Sequence, residues 1–387
     1  MNVVWLASWF PNRTEPTSGD FIERQAVAMA ERLTQLTVLV VVKDQNLPLN
    51  KVEFEIRKQG NLQVKIAYYG ASSNFCLLEK YYSHQQYQKL QQQLWKEFID
   101  QFGKPDICHV HVSMKAGWFA RKQWLKYKIP YVVTEHWTGY YPQANPNFLQ
   151  LDMVQRYMTR KVLQSAKLLL PVCDALAYRL NKLAPDTRFI KLSNVVDHNR
   201  FYYRQIDGAP IFRFIHFSYL NEQKNPIGII DACKILHQKG LSFECWLVGN
   251  LDETLMKAIT DRQLPTDQVK VLDAIPYEEV AKWMQAAQAL LMFSKWENQP
   301  CVILEALSVG LPVISSAVGG IQEELNPSNG ILVDSENVAQ LAAAMEHMLV
   351  NYKNYQRKEI AEQAKQYSYP NFADKLMSIY NDINLFN

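Results

Sequence analysis

The chain has 387 residues, with 41 Lys and Arg, 38 Asp and Glu, and a formal net charge of +3. This length exceeds one ordinary hydrophobic core and predicts two domains. Hydrophobic residues make up 48% of the chain, which excludes an extensively disordered protein. Six scattered Cys residues lack metal-ligand spacing, so we expect free thiols in a reducing compartment.

The charge is divided unevenly along the chain. Residues 1–196 carry 25 Lys and Arg against 15 Asp and Glu, a balance of +10, whereas the remainder has a balance of −7. A basic first half favours an anionic membrane face, a polyanion or an acidic substrate. The N-terminus lacks the pattern of a signal peptide, and no apolar run approaches the ~20 residues that span a bilayer. We therefore expect a cytoplasmic protein, either soluble or peripheral on the inner face of the membrane.

Short apolar runs alternate with longer amphipathic segments in the first half. Strands are predicted at Val3–Ala7, Leu36–Val42, Leu62–Tyr68, Ile107–Val112, Tyr131–Thr134 and Lys167–Val172. Helices are predicted at Asp20–Leu33, Leu78–Phe102, Ala116–Tyr127, Leu151–Ser165 and Asp174–Leu183. This alternation is typical of a parallel sheet that is covered on both faces.

A polar, irregular segment at 197–210 predicts a linker, after which a second α/β series begins. Its strands are predicted at Phe212–Phe217, Phe243–Val248, Val269–Leu272, Ala289–Phe293, Pro312–Ser315 and Gly330–Val333. Its helices are predicted at Pro226–Lys239, Tyr277–Ala286, Pro300–Val309, Val338–Leu349 and Asn371–Asn384. The second half therefore predicts another domain of the same class.

The segment 294–314 carries the strongest functional signal. It places two carboxylates, Glu297 and Glu305, around Pro300, and Pro is tolerated at a helix start because the first helical N–H has no partner there. The pattern predicts a strand, a polar turn, a helix that begins at Pro300 and stops at Gly310, and a second strand. The start of such a helix, at the carboxyl edge of a parallel sheet, favours phosphate binding.

This segment resembles the E-x7-E signature of retaining glycosyltransferases of the GT-B fold, in particular family four (glycosyl transferases group 1). Other segments resemble motifs of that family in order and spacing: Trp9-Phe-Pro11, Ser18-Gly19-Asp20-Phe21, Thr134-Glu135-His136-Trp137, Ser193-Asn194-Val-Val-Asp197 with Phe201, Leu247-Val-Gly249, Val318-Gly319-Gly320-Ile-Gln-Glu323 and Asn329-Gly330-Ile-Leu-Val. A lone E-x7-E is a weak signal, but these segments in register cover nearly the whole chain.

The resemblance implies an α/β protein with two Rossmann-like domains whose parallel sheets face each other across an interdomain cleft. It implies an acceptor-side domain at 1–196, with a C-terminal helix of about 371–387 packing back on it, and a donor domain at 211–368. The implied activity is that of a retaining hexosyltransferase of cell-surface polysaccharide synthesis. Such an enzyme moves a hexose from a UDP- or GDP-linked sugar to a glycan or lipid-linked glycan.

Site residues are carried over at the matching positions. Lys224 is expected to supply a point charge for the leaving phosphate. The N–H groups of Cys301 and Val302, and those near Gly319 and Gly320, are expected to donate to the phosphate oxygens.

The resemblance further implies that Glu297 holds sugar hydroxyls, that Glu305 holds ribose hydroxyls, and that His136 contacts the donor sugar and stabilises positive charge at its anomeric carbon. The other implied donor contacts are Gly19, Ser218 and Gly249. Taken alone, these residues fit ordinary structural roles, such as a solvated turn carboxylate or a satisfied histidine; their register favours ligand binding. Asp20 is expected to act as a helix N-cap.

Two departures from the family pattern concern the phosphate contacts. Tyr219 occupies the position of the family's arginine, so one of two expected phosphate-binding cations is missing. The usual E-G-F-G is Glu297-Asn-Gln-Pro300 in this chain, which removes both glycines.

No metal or other cofactor is expected besides the nucleotide-sugar co-substrate. The chain contains no Asp-x-Asp pair, the usual carboxylate site for a metal ion on a nucleotide diphosphate. His109 and His111 alternate along one strand and so share a face, but no third ligand accompanies them, which favours structural roles.

The predicted helix Ala116–Tyr127 mixes Trp118, Phe119 and Trp124 with Arg121, Lys122 and Lys126. It fits a contact with anionic lipid, and it fits equally a helix that covers the first sheet with its lysines solvated. Both interpretations stay open at the level of the sequence.

Two other functions remain compatible with the sequence. A nucleotide-sugar epimerase has the same fold but is not expected to carry this E-x7-E context. A non-catalytic sugar-nucleotide-binding subunit is the alternative that Tyr219 favours. Nucleic-acid binding is not expected, because no recognition motif accompanies the basic first half.

Overall fold

The computed structural model describes residues 1–70, 77–205 and 211–385. Part of the predicted linker (206–210), the last two residues of the predicted C-terminal helix (386–387) and Cys76 lie outside the described residues. The chain divides into two compact units. One unit comprises Met1–Tyr140, Pro146–Asn194 and the helix from Tyr369, and the other comprises Tyr141–Asn145 and Val195–Ser368.

The strands are β1 (Val3–Ala7), β2 (Leu36–Asp44), β3 (Val52–Gln59), β4 (Leu62–Gly70), β5 (Ile107–His111), β6 (Tyr131–Glu135), β7 (Leu168–Pro171), β8 (Arg213–Phe217), β9 (Glu244–Val248), β10 (Val269–Leu272), β11 (Ala289–Met292), β12 (Val313–Ser316) and β13 (Gly330–Val333).

The helices are α1 (Asp20–Ala30), α2 (Leu77–Phe102), α3 (Lys115–Tyr127), α4 (Met153–Ser165), α5 (Asp174–Asn181), α6 (Pro226–Gln238), α7 (Glu253–Asp261), α8 (Tyr277–Gln285), α9 (Cys301–Ser308), α10 (Ile321–Glu324), α11 (Val338–Asn351), α12 (Arg357–Ala364) and α13 (Tyr369–Leu385).

The sheet of the first unit has the order β3-β4-β2-β1-β5-β6-β7. Its strands are parallel, as predicted, except for β3, which pairs antiparallel with β4 at the edge. Four of the eight residues of β3 (VEFEIRKQ) are charged, and they leave no apolar run of the kind that marks a buried strand. For this reason β3 was not predicted. The turn between β3 and β4 is Gly60-Asn61, in which Gly60 has a φ of +56°. That dipeptide is a hairpin signal, since glycine adopts positive φ without a steric penalty.

The sheet of the second unit has the order β10-β9-β8-β11-β12-β13, and its pairs are parallel. From β8 the chain moves to β9 and β10 on one side, and from β11 it moves to β12 and β13 on the other. The carboxyl ends of the adjacent strands β8 and β11 therefore flank a switch in strand order, the place where open α/β sheets bind ligands.

Apolar runs become strands here because both faces of each sheet are covered by helices. The strands β1, β5, β6 and β7 are buried along their whole length, as are β11 and β12. The C-terminal helix α13 packs on α1 within the first unit. There the indole N–H of Trp5 in β1 donates to the hydroxyl of Tyr380 in α13 at 3.0 Å.

Candidate functional site

Lys224 and Glu297 form an ion pair at the carboxyl edge of the second sheet. Lys224 ends a 3-10 turn that follows β8, and Glu297 lies in the loop after β11. The Lys224 ammonium donates to Oε1 of Glu297, and the two side chains are only 16% and 6% exposed. The pair therefore lies at the switch in strand order. A phosphate that approached the ammonium would compete with the Glu297 carboxylate for it.

The Gly319-Gly320 loop after β12 holds the backbone of this carboxylate loop. Gly319 has a φ of +53°, and a Cβ there would lie 1.8 Å from the carbonyl oxygen of Glu297. The Gly320 N–H donates to the carbonyl of Asn298 at 2.9 Å. Only glycine combines this φ with this close approach. The Gly320 N–H, expected from the sequence to face a phosphate, is thus engaged within the protein.

The helix α9 begins one residue later than predicted. Pro300 has φ −69° and ψ 123°, so it is the N-cap and not the first helical residue. Cys301 and Val302 occupy the first two helical positions, where the backbone N–H groups have no acceptor within the helix. These N–H groups and the positive end of the helix dipole are features that bind phosphate oxygens.

Glu305, the second carboxylate of the signature, has a different partner. It lies one turn inside α9, is buried, and accepts a hydrogen bond from the hydroxyl of Tyr277 at 2.7 Å. Tyr277 begins α8, so this contact joins two helices on the same side of β11. One carboxylate of the signature thus binds an ammonium and the other a phenol.

Ser218 and Gly249 shape the loops at the ends of β8 and β9. His216 donates from Nδ1 to the carbonyl of Leu291 at 2.8 Å, which leaves Nε2 to accept from the Ser218 hydroxyl at 2.7 Å. Ser218 Oγ accepts in turn from the N–H of Leu220 at 2.9 Å. Burial lowers the pKa of His216 to about 4. A Cβ on Gly249 would lie 2.0 Å from the Ser218 carbonyl oxygen, so the two loops approach too closely for any other residue.

His136 belongs to the first unit and directly follows β6. Its ring is buried against Phe21, with centroids 4.6 Å apart, and stacks on His111 at 6.0 Å. Burial lowers the pKa of His136 to about 3, so the ring is neutral at neutral pH. A neutral imidazole offers a hydrogen bond but no fixed positive charge.

Glu135, whose role was not predicted from the sequence, fixes the backbone that carries His136. Its carboxylate is fully buried and accepts from four donors. The N–H groups of His136 and Trp137 bind Oε1 at 2.9 and 3.0 Å, and the N–H of Ser113 and the hydroxyl of Tyr140 bind Oε2 at 3.1 and 3.0 Å. The loops after β5 and β6 are therefore held together by one carboxylate.

Gly19 is the N-cap of α1, with a φ of +69°. A Cβ there would lie 2.7 Å from the backbone of Trp9. A close contact within the chain is therefore sufficient reason for glycine at this position. Asp20, predicted as the N-cap, is instead the first helical residue and pairs with Arg24 at 2.8 Å. This helix start also carries the Phe21 ring that packs against the β6 loop.

His109 and His111 lie on one face of β5, as their alternation predicts. His109 bonds through Nδ1 to the hydroxyl of Tyr380 and through Nε2 to that of Thr134 at 2.6 Å. The two imidazoles stack at 4.3 Å, and His111 also packs on Trp5 at 4.2 Å. Within residues 1–70, 77–205 and 211–385, no group of three or more His, Cys, Asp or Glu is placed to hold a metal ion.

The helix α3, for which lipid contact and packing on the sheet were equally compatible with the sequence, is largely a packing helix. Phe119 is buried, and Trp118 and Trp124 pack against the core of the first unit. A Cβ on Gly117 would lie 2.6 Å from a methyl group of Val162, so α3 also packs closely on α4. Phe119, Trp118 and Trp124 are therefore used inside the protein, whereas Tyr127 is exposed, and this packing favours the covering-helix interpretation. In the described part of the chain, no helix has the length and apolarity needed to cross a membrane.

Val112, just after β5, is a strained residue that no pattern in the sequence predicts. Its φ is +66°, a conformation in which a β-branched side chain is an outlier. Its N–H donates to the carbonyl of Thr134 at 2.9 Å, and its carbonyl accepts from the Ser8 hydroxyl at 3.0 Å. Such strain costs about 1–3 kcal/mol and is common at functional sites. It lies where β5 meets β1, at the switch in strand order of the first sheet.

Two family models match the chain. The model described as Glycosyltransferase Family 4 matches residues 22–200, and the model described as Glycosyl transferases group 1 matches residues 209–367.

Several curated proteins are similar in sequence. The amylovoran biosynthesis glycosyltransferase AmsK of Erwinia amylovora is 34% identical over 141 residues, which is 34% of either chain. The putative colanic acid biosynthesis glycosyltransferase WcaL of Escherichia coli is 29% identical over 49% of this chain and 50% of that protein. The alignments with these relatives therefore span about a third to a half of their length. The putative teichuronic acid biosynthesis glycosyltransferase TuaC of Bacillus subtilis is 22% identical over 89% of this chain and 88% of its own.

Solved structures share the fold at low identity. Sucrose-phosphate synthase from Thermosynechococcus elongatus has a TM-score of 0.81 at 16% identity, with full coverage of both chains. HepE of Anabaena, in complex with UDP and glucose, has a TM-score of 0.73 at 15% identity over 99% of this chain and all of that one. A trehalose-6-phosphate protein of Escherichia coli, bound with UDP-2-fluoro glucose, has a TM-score of 0.74 at 11% identity, covering 98% of each chain.

Proposed function

Because this chain belongs to the GT-B glycosyltransferases of group 1, we propose that it is a retaining hexosyltransferase that uses a nucleotide-diphosphate sugar. The proposed acceptor is a glycan or lipid-linked glycan in the synthesis of a cell-surface polysaccharide. The Lys224–Glu297 pair is the observation that carries the proposal, since it joins a cation to a carboxylate at the switch in strand order.

The pair supports donor binding because each partner suits a different part of such a ligand. When a diphosphate binds, its oxygens replace the Glu297 carboxylate on the Lys224 ammonium. The carboxylate is then available to accept from sugar hydroxyls, while the first N–H groups of α9 donate to the phosphate. The ammonium and these dipoles stabilise the negative charge that develops on the leaving diphosphate.

His136 and Glu305 complete the proposed donor contacts. Glu305 would accept hydrogen bonds from ribose hydroxyls, and these would replace the hydrogen bond that it accepts from the Tyr277 hydroxyl. His136, kept neutral by burial, would contact the sugar through a hydrogen bond. In the proposed reaction the bond from the anomeric carbon to the diphosphate breaks, and the acceptor hydroxyl attacks on the same face. Its proton passes to the departing phosphate, so no protein nucleophile is required.

The comparisons support this choice of donor and of pathway. Solved neighbours carry UDP, UDP with glucose, or a UDP-sugar analogue, which favours a UDP-linked sugar over a GDP-linked one. Relatives named for amylovoran, colanic acid and teichuronic acid biosynthesis favour an extracellular polysaccharide as the product.

Thermal unfolding in the presence of a panel of UDP- and GDP-sugars tests donor binding directly. A true donor at about 100 times its Kd adds about 2.7 kcal/mol of stability, which raises the Tm. We expect Lys224→Gln and Glu297→Gln to abolish the shift. The matched controls Lys257→Gln and Glu253→Gln, on the exposed side of α7, should keep it.

Product analysis with the stabilising donor separates the alternatives. Glycosyl transfer with retained anomeric configuration, once an acceptor extract is added, supports the proposal. An epimerised sugar nucleotide formed without acceptor indicates an epimerase. If the donor binds but no acceptor gives turnover, and if Glu297→Ala leaves donor binding unaltered, the protein is a non-catalytic subunit. The exposed Tyr219 is compatible with that alternative.

We also propose that transfer does not depend on a divalent metal, since the chain lacks an Asp-x-Asp pair. Turnover measured with EDTA should equal that measured with added Mg²⁺ or Mn²⁺. Complete loss in EDTA, restored by either metal, would disprove metal independence without affecting the proposed donor or acceptor.

A further inference from the structure

The helix α4 of the first unit presents an apolar face to solvent. Met153 is 78% exposed, Val154 65% and Tyr157 57%, and Leu149 in the turn just before the helix is 71% exposed. Single exposed apolar residues are ordinary, but four within nine positions of one turn and helix form a patch that soluble surfaces rarely leave uncovered.

The fold determines which face of α4 points outward. Thr159, Val162 and Leu163 are buried, so the helix is anchored to the unit by its opposite side. The N-terminus is fixed by a capping box, in which Asp152 accepts from the N–H of Gln155 at 2.8 Å. The exposed apolar side chains are thus held on a well-formed helix and do not belong to a frayed end.

Basic residues accompany the apolar face. Arg156, Arg160 and Lys161 lie on α4, whose thirteen residues include no Asp or Glu. The Lys161 ammonium lies 5.8 Å from the centre of the Tyr157 ring. An exposed helix with apolar residues beside an excess of positive charge is complementary to a surface that combines acyl chains with anionic groups.

We propose that α4, together with Leu149, docks on the surface of an anionic phospholipid bilayer. Met153, Val154, Tyr157 and Leu149 enter the boundary between headgroups and acyl chains, while Arg160 and Lys161 contact the phosphates. The charge of the first half of the chain, +10 over residues 1–196, attracts the unit to the same surface. The inference does not depend on the proposed reaction, because it is argued from the exposure and charge of α4 and Leu149 and from none of the candidate site residues.

Vesicle flotation of the full-length protein tests the proposal. We expect binding to vesicles of phosphatidylcholine with phosphatidylglycerol, and at least about tenfold weaker binding to phosphatidylcholine alone. Met153→Ser with Tyr157→Ser should reduce binding to the anionic vesicles roughly tenfold. Arg160→Gln with Lys161→Gln should reduce it about fivefold per charge, and binding should weaken at high salt.

Matched controls and a second measurement make the outcome decisive. Val350→Ser, at a position 76% exposed on α11, and Lys358→Gln on α12 remove similar groups from the other unit and should leave flotation unchanged. Equal losses in the control variants, or equal binding to neutral and anionic vesicles, would overturn the proposal. So would a wild-type dimer in light scattering that Met153→Ser with Tyr157→Ser converts to a monomer, since the face would then bind a second copy.

Discussion

At the scale of single residues, the Lys224–Glu297 pair combines a stabilising role with a binding role. Both side chains are largely withdrawn from water, and their charges neutralise each other. Removing one partner of such a pair leaves an uncompensated buried charge, which costs about 3–5 kcal/mol in fully buried cases. The slight exposure of Lys224 reduces that penalty.

We therefore expect Lys224→Met to destabilise the second unit by about 2–4 kcal/mol, and Glu297→Gln by a similar amount. The double variant should be more stable than the sum of the two losses predicts, because neither charge is then left alone. Guanidinium unfolding of the four proteins measures this coupling. Additive losses would show that the two side chains do not interact in solution.

Two glycines of the predicted motifs are required because backbone segments approach each other closely at their positions. Gly319 and Gly249 lie where two loops at a sheet edge touch through their backbones. The sequence predicts that both glycines belong to the candidate site, but it does not predict which backbone atoms they contact. The motif suggested contacts with a ligand, whereas the described contacts of both residues are to neighbouring loops that carry other candidate residues.

At the scale of elements, strands and helices that bury apolar runs were predicted closely. The bounds of β1, β10 and β13 agree with the prediction, because each is a short, mainly apolar segment between polar turns. The edge strand β3, the helices α7 and α12 and the four-residue helix α10 were not predicted. β3 and α12 carry many charged residues, and α7 has only a narrow apolar stripe, so their apolar signal is weak until the neighbouring elements cover them.

Side-chain networks between loops could not be predicted from the sequence. Tyr277 reaches Glu305 from another helix, and the four donors of Glu135 come from two loops of the first unit. Such contacts depend on which strands are neighbours in the sheet. The apolar pattern of the sequence predicts where strands occur but not their order in the sheet. The candidate site could thus be predicted as a set of residues but not as pairs.

The loop after β6 depends on the charge of Glu135. In Glu135→Gln the amide keeps one oxygen, but its NH₂ group faces donors that formerly bound a carboxylate. Each buried donor that loses its acceptor costs about 1–3 kcal/mol. We expect this variant to lose about 2–4 kcal/mol of unfolding free energy, measured in guanidinium.

Tyr140→Phe serves as the matched comparison for Glu135→Gln. It removes one of the four donors and leaves the carboxylate with three N–H partners, so we expect a loss of only about 1 kcal/mol. An unfolding free energy equal to that of the wild type in Glu135→Gln would show that the carboxylate does not hold the two loops.

At the scale of the whole molecule, buried neutral histidines couple stability to pH in both units. Burial lowers the pKa of His109 and His136 in the first unit to about 3, and that of His216 in the second unit to about 4. In the unfolded chain each titrates near 6.5. Between these values the unfolded state binds more protons than the folded state, so the folded state loses stability as pH falls below about 6.5.

Acidification should therefore weaken the first unit before the second, since the first contains two of these three histidines. Each contributes a loss of about 2 kcal/mol between pH 7.5 and pH 5. We expect calorimetry at pH 7.5, 6.5 and 5 to show a falling Tm. His216→Asn should reduce the pH dependence of the second unit alone. A Tm that stays constant from pH 7.5 to 5 would mean that these rings accept protons without unfolding, as they would if water reached them in the folded state.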